Sequence, residues 1–305
     1  MRTGIRVGLV GCGKWGRFVL RDLVALGSEV TVAVASEEGK TTAAQGGATN
    51  VVATVADLPE VDGIVVVTPS RTHAEVVESA LEHGVPVFVE KPLTDDLAAA
   101  DRLAERAHGR LFVMDKWRYH PGVELLGALA RDGELGRVLG LRTSRIGWGN
   151  PHDVDAVWVL APHDLSIGLE ILGSMPAPSS AVADAADGYA LGLVGLLGHD
   201  PWHALEVSTR SAERRREVTL ICEEGVAVLP TSESDHIQIF RGVDVAARAP
   251  KPELRSISIE LPLLRELDAF LVHLDGGPPP RSSAAEGAAV VRTIVELRTL
   301  AGLPA

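Results

Sequence analysis

A glycine-rich segment directly after the first apolar run constrains the fold more than any other feature of the sequence. The run Ile5–Val10 leads into Gly11-Cys12-Gly13-Lys14-Trp15-Gly16, and helical spacing of apolar residues follows. Glycines spaced as G-x-G-x-x-G permit a tight strand-to-helix turn, let a phosphate approach backbone N–H groups, and allow close helix–strand packing. Glycine is also common at strand-to-helix turns that bind nothing, so the surrounding pattern has to decide.

The surrounding pattern alternates short apolar runs with helical segments up to about residue 114. Such alternation is typical of βαβ units, and near-continuous Val, Ile and Leu content indicates strands covered on both faces. We therefore predict an α/β Rossmann-type doubly wound parallel sheet in a dinucleotide-binding domain over residues 1–116. The predicted strands are Ile5–Val10, Val30–Ala35, Gly63–Thr68, Val85–Glu90 and Leu111–Met114, and the predicted helices are Trp15–Leu26, Thr72–His83 and Asp95–Ala107, the last capped by Thr94. In this context the predicted cofactor contacts of the first turn are Gly11, Gly13, Lys14, Trp15 and Gly16.

The pattern changes after Met114, which predicts a second domain over residues 117–305. Short alternating segments separated by turns indicate an α+β domain with a mostly antiparallel open sheet. Its predicted strands are Arg137–Trp148, Tyr189–Leu196, His203–Thr209, Glu217–Ile221, Val226–Leu229, His236–Phe240 and Ser256–Leu261. Its predicted helices are Val123–Arg131, Asp164–Leu172, Leu264–Leu274 and Ala284–Ala301, with a polar loop before Asp164.

Composition limits the partners of the chain. The 305 residues carry 29 basic and 41 acidic side chains, a formal net charge of −12, and 46% of them are hydrophobic. This content excludes intrinsic disorder, and the acidic balance argues against nucleic acid and anionic membranes. Two cysteines and no Cys/His cluster predict neither a disulfide framework nor a metal site. With no signal peptide and no membrane-spanning apolar stretch, we expect a cytoplasmic protein with a small-molecule partner.

Polar residues follow two of the predicted strands, at the edge where a doubly wound sheet binds its ligand. Ser36 and Glu37 follow the second strand, where an acidic side chain holds the ribose hydroxyls of NAD. Because two adjacent glutamates would repel a 2′-phosphate and only Lys40 compensates, the sequence favours NAD over NADP. The next strand ends in a segment whose predicted cofactor contacts are Thr68, Pro69, Ser70 and His73, although Ser70 and Thr72 also suit a helix cap.

The segment Glu90-Lys91-Pro92 ends another predicted strand, since a strand interior rejects proline. Lys91 then projects from the carboxyl end of a buried strand, where a low dielectric can lower the pKa of an amine enough for proton transfer near neutral pH. The 29 basic residues include only five lysines, so a lysine is unusual here. A lysine at a strand end is ordinarily just solvated. We predict Lys91 as a catalytic residue and cofactor contact, and Glu90 as a cofactor contact.

Three of these motifs, with the second domain, point to a family. G-x-G-x-x-G at 11–16, T-P-x-x-x-H at 68–73 and E-K-P at 90–92 resemble the Gfo/Idh/MocA oxidoreductases, the glucose-fructose oxidoreductase and inositol dehydrogenase group. The resemblance implies a Rossmann domain that binds NAD or NADP and an open C-terminal sheet that makes a homodimer or homotetramer. It also implies hydride transfer at a carbinol carbon of a sugar or cyclitol, with Lys91 hydrogen-bonded to the reacting oxygen.

The second domain carries further matches. Arg118 and Tyr119 match the family's arginine-aromatic-x-Pro segment near the nicotinamide, so Arg118 is a predicted cofactor contact. The segment Trp158–Ser166 resembles the branch that acts on nucleotide-linked amino sugars or sugar acids, and His163 matches the family histidine that shuttles a hydroxyl proton. His163 is therefore the second predicted catalytic residue. Predicted substrate contacts are Tyr119, Trp148, His152, Asp153 and Asp164, and Arg118, Arg142 and Arg145 are candidates for holding a carboxylate or diphosphate.

One position departs from the family pattern. Val159 stands where that branch usually has an aspartate, four residues before the histidine. Either Lys91 and His163 do the acid–base work alone, or Asp153, Asp155 or Asp164 takes over the missing role. A third alternative is different chemistry, in which bound NAD serves a transient oxidation within an epimerisation, elimination or hydrolysis. A non-catalytic dinucleotide-binding protein is the last alternative, and the presence of both Lys91 and His163 argues against it.

Overall fold

The computed structural model describes residues 4–150, 154–242 and 250–304. The chain divides into two compact units. The first comprises the residues up to Lys116 together with Leu261–Val291, and the second comprises Trp117–Glu260 together with the residues from Arg292.

The first unit is built on a six-stranded parallel sheet. Its elements up to Lys116 are β1 (Arg6–Val10), α1 (Gly16–Ala25), β2 (Glu29–Ala33), α2 (Glu37–Gln45), β3 (Asn50–Val52), β4 (Gly63–Val66), α3 (His73–Leu81), β5 (Val87–Glu90), α4 (Leu97–Arg106) and β6 (Leu111–Met114). The strand order is β3-β2-β1-β4-β5-β6, with every neighbouring pair parallel. The order reverses between β1 and β4, and in such sheets the carboxyl ends of the strands at this point form the ligand crevice.

The second unit is built on an eight-stranded sheet. Its elements are α5 (Pro121–Asp132), β7 (Val138–Trp148), α6 (Ala156–Leu172), β8 (Pro178–Ala186), β9 (Tyr189–Leu197), β10 (Trp202–Ser208), β11 (Arg210–Cys222), β12 (Gly225–Leu229), β13 (His236–Arg241) and β14 (Glu253–Ser256). The order is β14-β13-β12-β11-β7-β10-β9-β8, and only the β7–β10 pair is parallel. Apolar side chains of β7, β11 and β13 form one core with those of α5 and α6, so the helices cover one face of the sheet.

Two helices close the chain, α7 (Pro262–Leu274) and α8 (Ala284–Leu300). The apolar face of α7 joins the core of the first unit, where the Phe270 ring stacks on Phe88 of β5 with centroids 4.9 Å apart. The prediction of one continuous second domain over 117–305 is therefore wrong for residues 261–291. Apolar spacing shows that α7 buries a face but not which core receives it, so the sequence could not have assigned the helix.

The predicted fold class is confirmed, and several elements differ in detail. The short edge strand β3, the polar helix α2 and the strand β8 were not predicted, because none carries a run of large apolar residues. The last strand of the second sheet is Glu253–Ser256 rather than Ser256–Leu261. Helix α4 is capped by Asp96, whose carboxylate accepts from the Ala99 N–H, rather than by Thr94.

Across the described ranges, no helix combines the length and the apolar composition needed to cross a lipid bilayer.

Candidate cofactor and active site

The glycine loop after β1 is tight on its inner side and open on its outer side. Gly11 has φ +94°, in the left-handed region that favours glycine. A Cβ on Gly11 would lie 3.0 Å from the Val67 carbonyl oxygen, and a Cβ on Gly16 would lie 2.7 Å from the Gly11 carbonyl oxygen. A Cβ on Gly13 would have no atom within 4 Å. The loop thus leaves the space that a pyrophosphate needs to reach backbone N–H groups.

The first turn of α1 also suits an anion. Within this helix, which is described throughout, no side chain caps the first turn and no acidic residue lies in it. The helix dipole at such an end attracts negative charge. Lys14 is exposed beside the turn, and the Trp15 ring lies 4.5 Å from the Lys116 Nζ. The residues of this loop therefore fit the pyrophosphate of a dinucleotide.

The glycines give a test that separates binding from folding. We expect Gly13→Ala to leave the melting temperature unchanged, because the added Cβ has free space, and to weaken NAD(H) binding about tenfold or more, equivalent to about 1.4 kcal/mol. Gly16→Ala is the matched variant, and we expect it to destabilise the protein by about 1–3 kcal/mol, because its Cβ is driven into the Gly11 carbonyl. Titration calorimetry and thermal melts measure both. Unchanged affinity in a folded Gly13→Ala protein would contradict the proposed phosphate site.

The residues after β2 have structural partners of their own. Ser36 caps α2, its hydroxyl accepting from the Gly39 N–H at 3.1 Å. Glu37 is exposed in the first turn of α2, and its carboxylate accepts from the Lys40 Nζ at 2.7 Å. Both residues stand beyond the carboxyl end of β2, as a ribose contact requires, and their role toward the cofactor stays a prediction.

A buried histidine joins the loops after β4 and β5. His73 is 1% exposed. Its Nε2 lies 2.9 Å from the Thr68 carbonyl oxygen and its Nδ1 lies 2.8 Å from the Pro92 carbonyl oxygen. Both ring nitrogens therefore lie within hydrogen-bonding distance of a carbonyl oxygen, one in each loop. His73 therefore lies between the two loops, and its role as a direct cofactor contact stays a prediction.

The rest of the loop after β4 is more open. Ser70 begins a short 3₁₀ helix, Ser70–Thr72, after the exposed Pro69. The Thr72 hydroxyl donates within this loop, lying 2.9 Å from the Thr68 hydroxyl and 2.8 Å from the Pro69 carbonyl oxygen. These bonds hold the loop in one shape at the carboxyl edge of the sheet, next to β1.

Lys91 stands at the same edge. It directly follows Glu90, the last residue of β5, and the Lys91–Pro92 peptide bond is cis. The Glu90 carboxylate accepts from the Lys91 backbone N–H at 2.7 Å, and the Lys91 side chain is half-buried. The parallel sheet thus places the glycine loop, the Thr68 loop and Lys91 on one edge of the first unit, since all three follow the carboxyl ends of strands.

In the second unit, His163 lies within α6 rather than at its start. The helix begins at Ala156 because Asp155 caps it, its Oδ1 accepting from the N–H groups of Val157 and Trp158 at 3.1 and 3.3 Å. The His163 ring is half-buried and meets the Trp117 ring edge-on, with centroids 6.5 Å apart. Val159 lies one helical turn earlier, so it shares the face of α6 that carries His163.

The acids near His163 are held in buried ion pairs. Asp164 is 1% exposed, and its carboxylate accepts from the Arg145 Nε at 2.8 Å. The Arg145 guanidinium lies 4.3 Å from the Trp117 ring centroid. The second carboxylate oxygen of Asp155 accepts from Arg298 and from the Ala190 N–H. Both acids therefore have structural roles, which weakens the prediction of Asp164 as a substrate contact.

The remaining predicted contacts of the second unit lie in different surroundings. Arg118 is buried and pairs with Glu170 of α6 at 3.2 Å, and Tyr119 is buried beside it in sequence. Trp148, at the end of β7, is 78% exposed. His152 and Asp153 lie outside the described residues.

Sequence reasoning missed Trp117, whose ring meets Arg145 and His163 and stacks on His120 with centroids 5.2 Å apart. The sequence did offer a signal for Trp117, because it is an aromatic residue directly before Arg118 in the segment that resembles the family. It also missed two buried acids of the first unit, Asp115 and Glu266. The spacing of α7 could have revealed Glu266, because the residue occupies an apolar position of that helix.

The chain was compared with known proteins. Residues 5–113 match the model of the Gfo/Idh/MocA family, described as an oxidoreductase family with an NAD-binding Rossmann fold. UDP-N-acetylglucosamine 3-dehydrogenase of Acidithiobacillus ferrooxidans is 32% identical over 188 residues, which cover 60% of this chain and 59% of that protein. Myo-inositol dehydrogenase Hyg17 of Streptomyces leeuwenhoekii is 36% identical over 143 residues, 45% of this chain and 44% of the relative. In sequence, the chain thus spans about half the length of these curated relatives.

The similarity in structure extends further along the chain. The UDP-N-acetylglucosamine 3-dehydrogenase GnnA from Acidithiobacillus ferrooxidans matches with a TM-score of 0.84 at 26% identity, covering 98% of both chains. A levoglucosan dehydrogenase in complex with NADH and levoglucosan matches with a TM-score of 0.86 at 17% identity, a likeness of fold alone. Together with the glycine loop and the Glu90-Lys91-Pro92 segment, these matches confirm the predicted resemblance to the Gfo/Idh/MocA oxidoreductases, and residues 5–113 have that family's NAD-binding Rossmann fold.

Proposed function

We propose that the protein is an NAD(P)-dependent dehydrogenase that acts on a ring CH–OH group of a sugar-like substrate. The observation that carries this proposal is the placement of Lys91 directly after β5, on the edge of the sheet that also bears the glycine loop. An amine beside a dinucleotide site can hydrogen-bond the oxygen whose carbon is oxidised. When bound, the nicotinamide supplies hydride acceptance or donation.

The roles of the residues follow from their chemistry. The Lys91 amine polarises the carbonyl oxygen of the product or accepts the hydroxyl proton of the substrate. We propose His163 as the second acid–base group, since an imidazole exchanges protons near neutral pH. Because Asp155 and Asp164 are engaged in buried ion pairs, neither is positioned to replace the aspartate whose place Val159 takes. Lys91 and His163 are therefore the two acid–base groups that we propose.

NAD is the proposed cofactor, with NADP as the alternative. Glu37 and Glu38 stand exposed beyond the carboxyl end of β2, and Lys40 pairs with Glu37. Their carboxylates repel a 2′-phosphate and can accept from ribose hydroxyls. We also propose Arg118 as a cofactor contact, since a guanidinium donates hydrogen bonds to phosphate and carboxylate groups.

The substrate class is proposed from the relatives. The protein GnnA, matched over 98% of both chains, is a UDP-N-acetylglucosamine 3-dehydrogenase, and several shorter sequence matches are inositol dehydrogenases. A nucleotide-linked amino sugar is our first candidate and a cyclitol the second. In keeping with this, Trp148 offers an exposed aromatic face, and Tyr119, His152 and Asp153 remain proposed substrate contacts.

The experiment is a panel of substrates and cofactors. Purified protein is mixed with NAD or NADP and with UDP-N-acetylglucosamine, myo-inositol or free sugars, and the absorbance of the reduced nicotinamide is followed. We expect reduction of NAD with one substrate class and a higher KM for NADP. Product formed without net reduction of cofactor would support the epimerisation, elimination or hydrolysis alternative. Nucleotide affinity with no sugar-dependent signal would overturn the dehydrogenase proposal.

We also propose that the protein is a cytoplasmic homodimer or homotetramer, assembled through the face of the second sheet that α5 and α6 leave uncovered. Val182 of β8 pairs with Val194 of β9, and these side chains are 68% and 49% exposed. Leu196 lies on the same face, two residues further along β9. The oligomeric state of the wild type and of Val194→Asp, measured by sedimentation, tests this interface.

A further inference from the structure

The buried ring of Trp117 limits the directions in which the His163 imidazole can point. Trp117 is 6% exposed, and the two rings meet with centroids 6.5 Å apart and planes at 62°. This distance lies within the range of roughly 4.5–7 Å over which aromatic rings interact. His163 is half-buried, and a helical side chain has only a few staggered rotamers. Contact with a large, fixed ring therefore excludes some of the rotamers that the imidazole would otherwise sample.

The Trp117 ring is itself held by two planar groups. The Arg145 guanidinium lies 4.3 Å from its centroid, and the His120 ring stacks on it with centroids 5.2 Å apart and planes at 14°. All three side chains are buried. In a close-packed interior a ring with two such neighbours cannot turn without displacing one of them. Trp117 thus offers His163 a rigid surface.

Hydrogen bonds hold the His120 ring in its place against Trp117. The Gly122 N–H donates to the His120 Nδ1 at 3.1 Å, at the start of α5. The His120 Nε2 lies 3.1 Å from the Ser232 carbonyl oxygen, in the segment between β12 and β13. Because both ring nitrogens have a partner in the backbone, the ring that stacks on Trp117 is anchored in two separate parts of the second unit.

The Arg145 guanidinium connects Trp117 back to the helix that carries His163. Its Nε donates to the Asp164 carboxylate at 2.8 Å, and Asp164 directly follows His163 in α6. The contacts therefore form a closed circuit, from His163 to Asp164 along the helix, then to Arg145, to Trp117 and back to the His163 ring. A closed circuit of buried contacts fixes its members more firmly than a single contact does, since none of them moves alone.

The neighbouring turns of α6 contribute packing to the imidazole rather than a polar side chain. Val159 and Ile167 lie one turn before and one turn after His163 on the same face, and both are buried and carry only methyl groups. The Ser166 hydroxyl donates to the His163 backbone carbonyl oxygen at 2.9 Å. The orientation of the ring therefore depends on what packs against it from outside the helix, and Trp117 is such a group.

We propose that Trp117 is a positioning residue for His163, which holds the imidazole in the orientation that proton transfer requires. This role rests on the acid–base function proposed for His163 above. The indole N–H only donates a hydrogen bond, so Trp117 moves no proton itself. Its effect on turnover therefore passes through His163. A small misplacement of a reacting group can cost about 10²-fold in rate, so turnover should respond more than binding.

A double-mutant cycle tests whether Trp117 acts through His163. We expect Trp117→Leu to lower kcat by about 10- to 100-fold and to leave KM for NAD within about twofold. Trp117→Phe keeps an aromatic ring in the place, so its kcat should stay within about fivefold of the wild type. In a His163→Ala background, Trp117→Leu should change kcat by less than about twofold. An equal loss of kcat in both backgrounds would overturn the proposal, because Trp117 would then act on the structure at large.

Trp202→Leu is the matched control. Trp202 lies on β10 of the same sheet, next to His203, which packs against Gly168 of α6. Because side chains alternate along a strand, Trp202 lies on the opposite face, where its ring covers Gly140 of β7. The control should keep the kcat of the wild type. A loss as large as that of Trp117→Leu would overturn the assignment, since any missing indole of this sheet would then slow turnover.

A measurement without turnover tests the orientation of the ring itself. Three-bond couplings across χ1 of His163, in protein labelled with ¹³C,¹⁵N-histidine, distinguish one staggered rotamer from an average over several. We expect one rotamer in the wild type and in Trp117→Phe, and averaging in Trp117→Leu. If Trp117→Leu does not fold, Trp117→Met takes its place in both measurements, because methionine fills irregular gaps without offering a ring. A single unchanged rotamer in the folded variant would overturn the positioning role.

The outcomes separate this proposal from the proposed function. Wild-type kcat in a folded His163→Ala protein would overturn the positioning role together with the acid–base role of His163. A wild type that oxidises no sugar-like substrate contradicts the proposed function instead. The coupling measurement needs no substrate, so it then still decides whether Trp117 fixes the His163 ring.

Discussion

Replacing Lys91 with alanine should lower kcat by about 10²- to 10⁴-fold, the usual contribution of a positioned acid–base group. NAD(H) affinity should change little, because the glycine loop and the first turn of α1, which form the proposed phosphate site, are left intact. Steady-state kinetics on the substrate found in the panel, together with calorimetric titration of NADH, measure the two effects separately. The position of Lys91 after β5 predicts this split between turnover and binding.

The control is another lysine. Lys251 is exposed and lies in the second unit, so Lys251→Ala should keep the kinetics of the wild type. Lys91→Arg adds a finer test, since a guanidinium keeps the charge but does not give up its proton. Turnover close to the wild type in a folded Lys91→Ala protein would end the assignment of Lys91 as a catalytic residue.

The largest loss of stability is expected from Asp164→Ala. The substitution leaves the Arg145 guanidinium, 4% exposed and stacked on Trp117, as an uncompensated buried charge. Breaking a buried pair in this way typically costs about 3–5 kcal/mol. Chemical denaturation of the full chain measures the change in the free energy of unfolding. A lower cost is expected when both partners are exchanged for apolar residues, as in Asp164→Leu with Arg145→Met.

A second Asp–Arg pair in the same unit provides the comparison. Asp184 and Arg210 lie 3.3 Å apart with about half of each side chain exposed, so Asp184→Ala should cost no more than about 1 kcal/mol. If Asp164 instead bound substrate, as its place next to His163 suggested, its removal would raise KM and leave stability unchanged. That result would support Asp164 as a substrate contact and contradict its structural role.

The sequence was most informative where a local pattern determines a local structure. The parallel sheet of the first unit follows from apolar runs, and the turn after β1 follows from three glycines, of which Gly11 needs its positive φ and Gly16 its missing Cβ. Lys91 stood out because proline ended its strand and because lysine is rare in the chain. These features depend on residues that are close in sequence.

The features that the sequence left open depend on long-range packing. Nothing local shows that α7 returns to the first unit, where its Glu266 is buried. The pair between Arg145 and Asp164 likewise joins β7 to α6. It gives Asp164 a structural role where the sequence predicts a substrate contact. The sequence predicts His163 at the start of a helix. In the structure it lies inside the helix, because the capping residue is Asp155, eight positions earlier. Both aspartates were evident in the sequence, but the side chains and backbone groups that they contact were not.

The buried His73 ring has a consequence for the thermodynamics of ligand binding. Because one buried ring lies within hydrogen-bonding distance of the carbonyl groups of both Thr68 and Pro92, it restricts the conformations of both loops. Their conformational entropy is lost once, when the chain folds, and is not lost again at each binding event. A ligand that touches both loops therefore meets a surface already in order, and the free energy of its contacts goes into affinity rather than into arranging the protein.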